Sequence, residues 1–249
     1  MASPVLLIHG MWSSGSVWAG FAARLEAQGY TVRAPSLPHH DAAARPPVEL
    51  GRLGLADYLT FLRREADALP APPLLVGHGL GGLLAMRLAA EGVGYASVHL
   101  GTMTEGIDLR PLGALRDVVM RPGWWRRPVR LERRAALRAF AGNLPANVQA
   151  RVLDGLTYES GRALREVTLG APRRTPAWLA PQGLPRPSLL VHGTEDRFAP
   201  IGAAKAAARR AGPKATFTQL AGRGHWLPAE RGWEQLADDV AHWARSFAP

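Results

Sequence analysis

Short runs of aliphatic residues alternate along the chain with longer stretches in which apolar side chains recur every three or four positions. Val5-Leu6-Leu7-Ile8, Leu74-Leu75-Val76 and Leu189-Leu190-Val191 are too short for helices and show no alternation of apolar and polar residues. Such runs predict strands buried on both faces, as in a parallel sheet. Strands are expected near 5–9, 31–34, 73–77, 96–100, 188–192 and 215–220, and helices near 16–28, 53–68, 81–91, 200–211 and 232–247. Alternating strands and helices imply right-handed crossovers and an α/β fold: a mostly parallel sheet of about six strands flanked by helices. Between 104 and 183 the strand signal stops. Apolar residues at helical spacing recur there in 111–120, 129–140, 146–156 and 160–169, predicting a helical cap. Pro172, Pro176, Pro181, Pro185 and Pro187 mark an irregular return to the sheet. The expected division is a core of 1–103 and 187–249 and a cap or lid of 104–186.

One turn carries chemistry by what it lacks. Leu74-Leu75-Val76-Gly77-His78-Gly79-Leu80-Gly81-Gly82 fits the G-x-S-x-G nucleophile elbow except that Gly79 stands at the serine position. Such an elbow holds its central residue in a strained strand-to-helix turn, where glycine relieves strain and removes the hydroxyl. A glycine-rich loop alone is weak evidence. A dinucleotide loop or a Lys-containing P-loop fits the spacing less well.

Three further segments follow in a telling order. Val5 to Trp12 is an apolar strand ending in His9-Gly10-Met11-Trp12. Ser188 to Asp196 is a strand ending in Glu195 and Asp196, and Gly222-Arg223-Gly224-His225-Trp226 is a glycine-flanked loop holding a histidine. Nucleophile position, acid and histidine at 79, 196 and 225 follow the chain order of the α/β-hydrolase fold. The chain resembles a single-domain α/β-hydrolase of the serine esterase and thioesterase type along almost its whole length, most closely at 5–38, 73–91, 188–201 and 222–247. The resemblance implies that Asp196 is the triad acid and His225 the general base. It also implies that the Met11 and Leu80 amides form the oxyanion hole. Gly79 is the departure, and it removes the attacking atom of the acyl-enzyme mechanism.

Trp12, His78 and Trp226 adjoin these positions in sequence, so Trp12 and Trp226 are expected to shape a pocket for an apolar or aromatic substrate. His78 is expected to be structural, and His9 to orient the oxyanion loop. Trp124, Trp125 and Trp178 fall in the cap and are read as packing. Of Ser13, Ser14 and Ser16, one is expected in the pocket or, for Ser16, as a helix cap. Ser160 is expected to cap a helix. His39 and His40 lie on a loop without enough partners for a metal site. Glu105 and Asp108 offer an alternative acid, at a position less common than that of Asp196.

Composition narrows the classes. The 249 residues include no cysteine, which excludes disulfides and thiolate chemistry, and nothing in the sequence calls for a metal or organic cofactor. No apolar stretch reaches membrane-spanning length. The first strand follows Met1-Ala2-Ser3-Pro4 directly, so a cytoplasmic location is expected. Net charge is +10, and 28 of the 30 basic residues are arginine. Residues 104–186 hold 15 arginines against 7 acidic residues. Arg110, Arg116, Arg121, Arg126, Arg127, Arg130, Arg133, Arg134 and Arg138 face only Asp117 and Glu132 within their stretch. That excess suits an anionic partner such as an acyl carrier protein or a phosphorylated cofactor, or a plain solvated surface. No recognition motif for nucleic acid accompanies it.

Two origins of Gly79 stay open at this level. A serine hydrolase could have had its nucleophile replaced. Alternatively glycine is native, and the His225–Asp196 pair acts as a general base in a lyase, cyclase or isomerase of a biosynthetic pathway. A third reading is a pseudo-enzyme that binds a ligand without turnover.

Overall fold

The structure is a computed structural model describing residues 3–41, 46–103, 116–169 and 183–248. The strands are β1 (Pro4–Ile8), β2 (Thr31–Arg33), β3 (Leu74–His78), β4 (Ala96–Leu100), β5 (Pro128–Arg130), β6 (Tyr158–Ser160), β7 (Ser188–Gly193) and β8 (Ala215–Leu220). The helices are α1 (Ala19–Glu26), α2 (Leu55–Asp67), α3 (Leu80–Ala90), α4 (Arg116–Val119), α5 (Arg133–Ala136), α6 (Ala146–Asp154), α7 (Gly161–Leu169), α8 (Ile201–Ala211) and α9 (Trp233–Arg245). Six strands form one sheet in the order β2-β1-β3-β4-β7-β8, every pair parallel. This is the α/β architecture expected from the alternating pattern.

The aliphatic runs form strands because each of their two faces meets a different apolar layer. Val5 and Leu7 point into a cluster with Trp18 and Phe21 near and on α1 and Val240 on α9. Leu6 and Ile8 point the other way, against Leu59 and Leu62 of α2 and Leu83 of α3. All five residues of β1 are buried. Truncating one of these side chains to alanine costs about 2–5 kcal/mol.

The strand order also places the site. The chain passes from β1 outward to β2, then crosses back to add β3 on the other side of β1. Connections leaving β1 and β3 therefore diverge, opening a crevice at the carboxyl ends of these two strands, where ligands bind in open α/β sheets. The loops 9–12 and 78–80 both emerge there.

Between β4 and β7 the described residues depart from the helical expectation. Pro128–Arg130 and Tyr158–Ser160 pair as an antiparallel ribbon, so the helix expected over 129–140 begins only at Arg133. Three-residue strands separated by almost thirty residues leave no periodicity to read, since their pairing is non-local. Beyond α5 the backbone continues as a π-helical turn, Leu137–Ala141. The helix expected over 16–28 is also divided, into a 3-10 turn at Gly15–Trp18 and α1. Ser16 caps neither: its Oγ pairs with Ser14 Oγ at 2.8 Å. Ser160 does cap α7, its Oγ accepting the Ala163 amide at 3.2 Å. Residues 111–115, Pro172, Pro176 and Pro181 lie outside the described residues, as do Glu105, Asp108, Arg110 and Trp178. Among the described residues no helix is long and apolar enough to cross a membrane.

Candidate active site

The turn after β3 holds Gly79 at φ 56° and ψ −116°. L-residues rarely adopt this conformation, so glycine is the unstrained choice. Hydrogen bonds fix the turn: the Gly79 amide donates to Leu100 O at 3.0 Å, and Gly79 O accepts from Met103 at 3.1 Å. Gly81 is required by proximity, because a Cβ there would collide with the Ile8 and His9 carbonyl oxygens. At Gly79 the surroundings are different. A Cβ would lie 3.3 Å from His225 Nε2, so any side chain at this position is aimed at the imidazole.

His225 is oriented from behind. Its Nδ1 donates to Asp196 Oδ2 at 2.8 Å, while Asp196 Oδ1 accepts the Phe198 and Ala199 amides at 2.9 and 2.8 Å. Burial pushes the Asp196 carboxyl up, but the adjacent His225 ring, His192 and the Ala199 amide more than offset it and hold it below its ordinary value. An ionised Asp196 keeps the His225 proton on Nδ1, leaving Nε2 as a lone-pair acceptor facing Gly79. His192, which the sequence reading did not single out, completes this support. Its Nε2 donates to Ala199 O at 2.5 Å and lies 3.3 Å from Asp196 Oδ2. The signal was its place in β7, four residues before the acid. Burial lowers its basicity, so it stays neutral.

Met11 and Leu80 line one cavity with Trp12, Met103, Phe140, Phe198, His225 and Trp226. Leu80 is the first residue of α3, where an amide has no intrahelical acceptor and the helix end favours negative charge. Neither amide donates to a backbone or side-chain acceptor among the described residues. The cavity measures about 10 Å³, room for roughly one water.

His9 and His78 hold this cavity in shape. The Leu37 amide donates to His9 Nε2 at 2.9 Å, so the ring proton sits on Nδ1 and donates to Gly10 O at 2.8 Å. His78 Nε2 donates to His225 O at 2.9 Å. Burial pushes both rings down to about 3, so each stays neutral. Among the described residues, His78 Nδ1 and the Trp226 indole nitrogen are buried without a partner, the first an acceptor and the second a donor. Phe140, from the π-helical turn, stacks on Trp226 with centroids 4.9 Å apart and covers His225 at 6.1 Å. No periodic pattern marked Phe140 or Phe198 as site residues.

Trp12, at φ 54°, ties the loop after β1 to the segment beyond β4. Its indole donates to Val129 O at 3.2 Å, and its carbonyl accepts the Thr157 amide at 2.9 Å. Thr157 Oγ1 also donates to Ser13 O at 3.0 Å. His40 does not reach the catalytic cavity. It is buried 3.4 Å from Glu159, which also accepts the Tyr58 hydroxyl at 2.8 Å. Trp124 and Trp125 lie outside the catalytic cavity, edge to face with each other. No cluster of three or more His, Asp or Glu side chains among the described residues is arranged to hold a metal ion.

Comparison with known proteins agrees with this architecture. The profile of the alpha/beta hydrolase family matches residues 5–239. A pyrethroid hydrolase of Sphingobium wenxiniae is 36% identical over 81 residues, 31% of this chain and 27% of that protein. The matched segments thus span only about a quarter of the length of the curated relatives. Among solved structures, a thermophilic esterase from Thermogutta terrifontis superposes with a TM-score of 0.75 at 19% identity, covering 100% of this chain and 92% of that one. A monoacylglycerol lipase from Paleococcus ferrophilus gives 0.76 at 18% identity, covering 100% and 97%.

Proposed function

The chain belongs to the α/β hydrolase family, and from that premise we propose that it acts on an acyl or carbonyl substrate by general-base rather than nucleophilic catalysis. Its relatives named as pyrethroid hydrolase, esterase and lipase support an ester-like substrate with an apolar or aromatic body. The observation that carries the reading is the complete Asp196–His225 pair, with Nε2 facing the space above Gly79 in a cavity that Met11 and Leu80 also line. In a serine hydrolase that space holds the attacking hydroxyl. Here it is free for one water, or for an acidic C–H or O–H of the substrate itself.

The chemistry follows from these positions. The substrate carbonyl oxygen sits between the Met11 and Leu80 amides, which stabilise the negative charge that develops on it. His225 Nε2 takes the proton from the water or substrate atom, and Asp196 stabilises the imidazolium that forms. A positioned general base contributes about 10²–10⁴-fold. With water as the attacking group, the tetrahedral adduct collapses with cleavage of the ester C–O bond, the His225 imidazolium returns its proton to the leaving oxygen, and hydrolysis proceeds without an acyl-enzyme. A second reading, in which the substrate supplies the proton and eliminates, cleaves or cyclises, is favoured by the apolar enclosure of Met103, Phe140, Phe198 and Trp226, which leaves little room for solvent.

A paired assay tests this. On the chain's own substrate, His225→Ala should lower turnover about 10²–10⁴-fold. The Gly79→Ser variant should show an acyl-enzyme burst on p-nitrophenyl esters that the parent chain lacks. Turnover untouched by His225→Ala would sink the general-base reading. A burst already present in the parent chain would place the nucleophile elsewhere.

A further inference from the structure

A hollow lies among the described residues of the segment between β4 and β7. It measures about 880 Å³, within the range of small-molecule sites. Its wall is built from β5, α5, the end of α6 and the start of β6. Arg121, Arg127, Arg130, Arg133, Arg134 and Arg138 line it, against two carboxylates, Glu132 and Asp154. Asp154 is engaged by Arg133. Arg130 lies over the Tyr158 ring, 5.7 Å from its centroid. Arg121, Arg127, Arg134 and Arg138 have no side-chain ion pair among the described residues. Beneath the arginines the wall is apolar, with Trp124, Leu131, Leu153 and Leu156.

Two features decide what such a hollow takes. Six arginines line one concavity, and the planar forks of guanidinium groups match phosphate oxygens two at a time. The concave shape suits a ligand that enters it rather than a flat protein surface. Like charges held together without carboxylate partners repel, so an anion of several charges is the occupant that relieves them. The apolar wall adds contact for an uncharged stretch of the same ligand.

The hollow also adjoins the catalytic centre. Arg138 lines both it and a second, smaller cavity of about 20 Å³ whose other walls include Phe140, Gly224 and His225. Arg138 stands on the π-helical turn that also carries Phe140. One ligand could therefore place its charged end among the arginines and its acyl end toward His225.

We propose that this arginine-lined hollow binds the phosphate-bearing end of the substrate, which is an acyl group carried as the thioester of a small phosphorylated carrier of the coenzyme A type. The proposal rests on the general-base reading for the acyl end only; the phosphate site stands or falls by itself. The arginines hold the phosphates, the apolar wall holds the uncharged arm, and Arg138 marks the passage to the base.

The test is calorimetric titration of the intact chain with coenzyme A, pantetheine and inorganic pyrophosphate. Coenzyme A should bind, with affinity falling at least tenfold in the double variant Arg130→Gln, Arg134→Gln and falling again as salt is raised. Pantetheine, lacking phosphate, should bind far more weakly. Both arginines are exposed, and equal thermal midpoints for variant and parent confirm that folding is intact. Affinity unchanged in the folded double variant overturns the proposal, as does pantetheine binding as tightly as coenzyme A. Pyrophosphate binding as tightly as coenzyme A reduces the hollow to an unspecific anion site and overturns the carrier assignment. His225→Ala serves as the separating control. It should leave coenzyme A affinity unchanged, so a failed catalytic reading and a failed phosphate site give different results.

Discussion

At Gly79 the space for a side chain opens toward the imidazole: a Cβ there would lie 3.3 Å from His225 Nε2. The imidazole is oriented by Asp196, and Met11 and Leu80 line the same cavity. Several other imidazoles matter to stability instead. Burial pushes His9 and His78 down to about 3 and His99 to about 4. An unfolded chain binds protons at these residues below the ordinary histidine value of about 6.5, and the folded chain does not. Their stabilising contribution is therefore present above about 6.5 and is lost progressively as pH falls toward the folded values, at about 1.4 kcal/mol per pH unit for each ring. Asp196, held below its ordinary value, adds a loss of the same sign at lower pH. Denaturant titrations between pH 7 and 4.5 should show a steep decline, and His99→Gln should make it shallower by about 1.4 kcal/mol per pH unit. An unaltered slope would mean that His99 is already charged in the native protein.

At the scale of elements, legibility divided according to how local the pattern was. The buried strands β1, β3 and β7 announced themselves as aliphatic runs, and the glycines of the turn after β3 named the elbow. Asp196 and His225 could be picked out because each ends a strand in a distinctive loop. What escaped depended on contacts between distant residues: the β5–β6 ribbon, the π-helical turn, His192 behind the acid and Phe140 over the base. Phe140 matters most among these. It stacks on Trp226 and closes a cavity of about 10 Å³. Phe140→Ala should enlarge the acyl space, lowering KM for bulkier aromatic esters while leaving the His225–Asp196 hydrogen bond in place; steady-state kinetics over a series of acyl sizes would reveal it. Elsewhere, Tyr58→Phe removes the hydroxyl donated to buried Glu159 and should destabilise by about 1–3 kcal/mol, read as a fall in the denaturation midpoint.

For the whole molecule, charge and shape are unevenly shared. The sheet with its two helical layers is nearly balanced, while the stretch between β4 and β7 carries most of the net +10. One link between that stretch and the sheet runs through Trp12. Its carbonyl and indole are bonded to Thr157 and Val129, and it directly follows Met11, which lines the cavity with it. Trp12→Phe keeps an aromatic ring but loses the bond to Val129. Turnover should drop by up to about tenfold with little change in thermal midpoint, because a net hydrogen bond of this kind is worth about 0.5–1.5 kcal/mol. Equal losses in both measurements would assign Trp12 to packing alone. Because both the carbonyl and the indole of Trp12 are engaged, the loop after β1 cannot shift without giving up its bonds to Thr157 and Val129, so this wall of the cavity is stiffened from two directions.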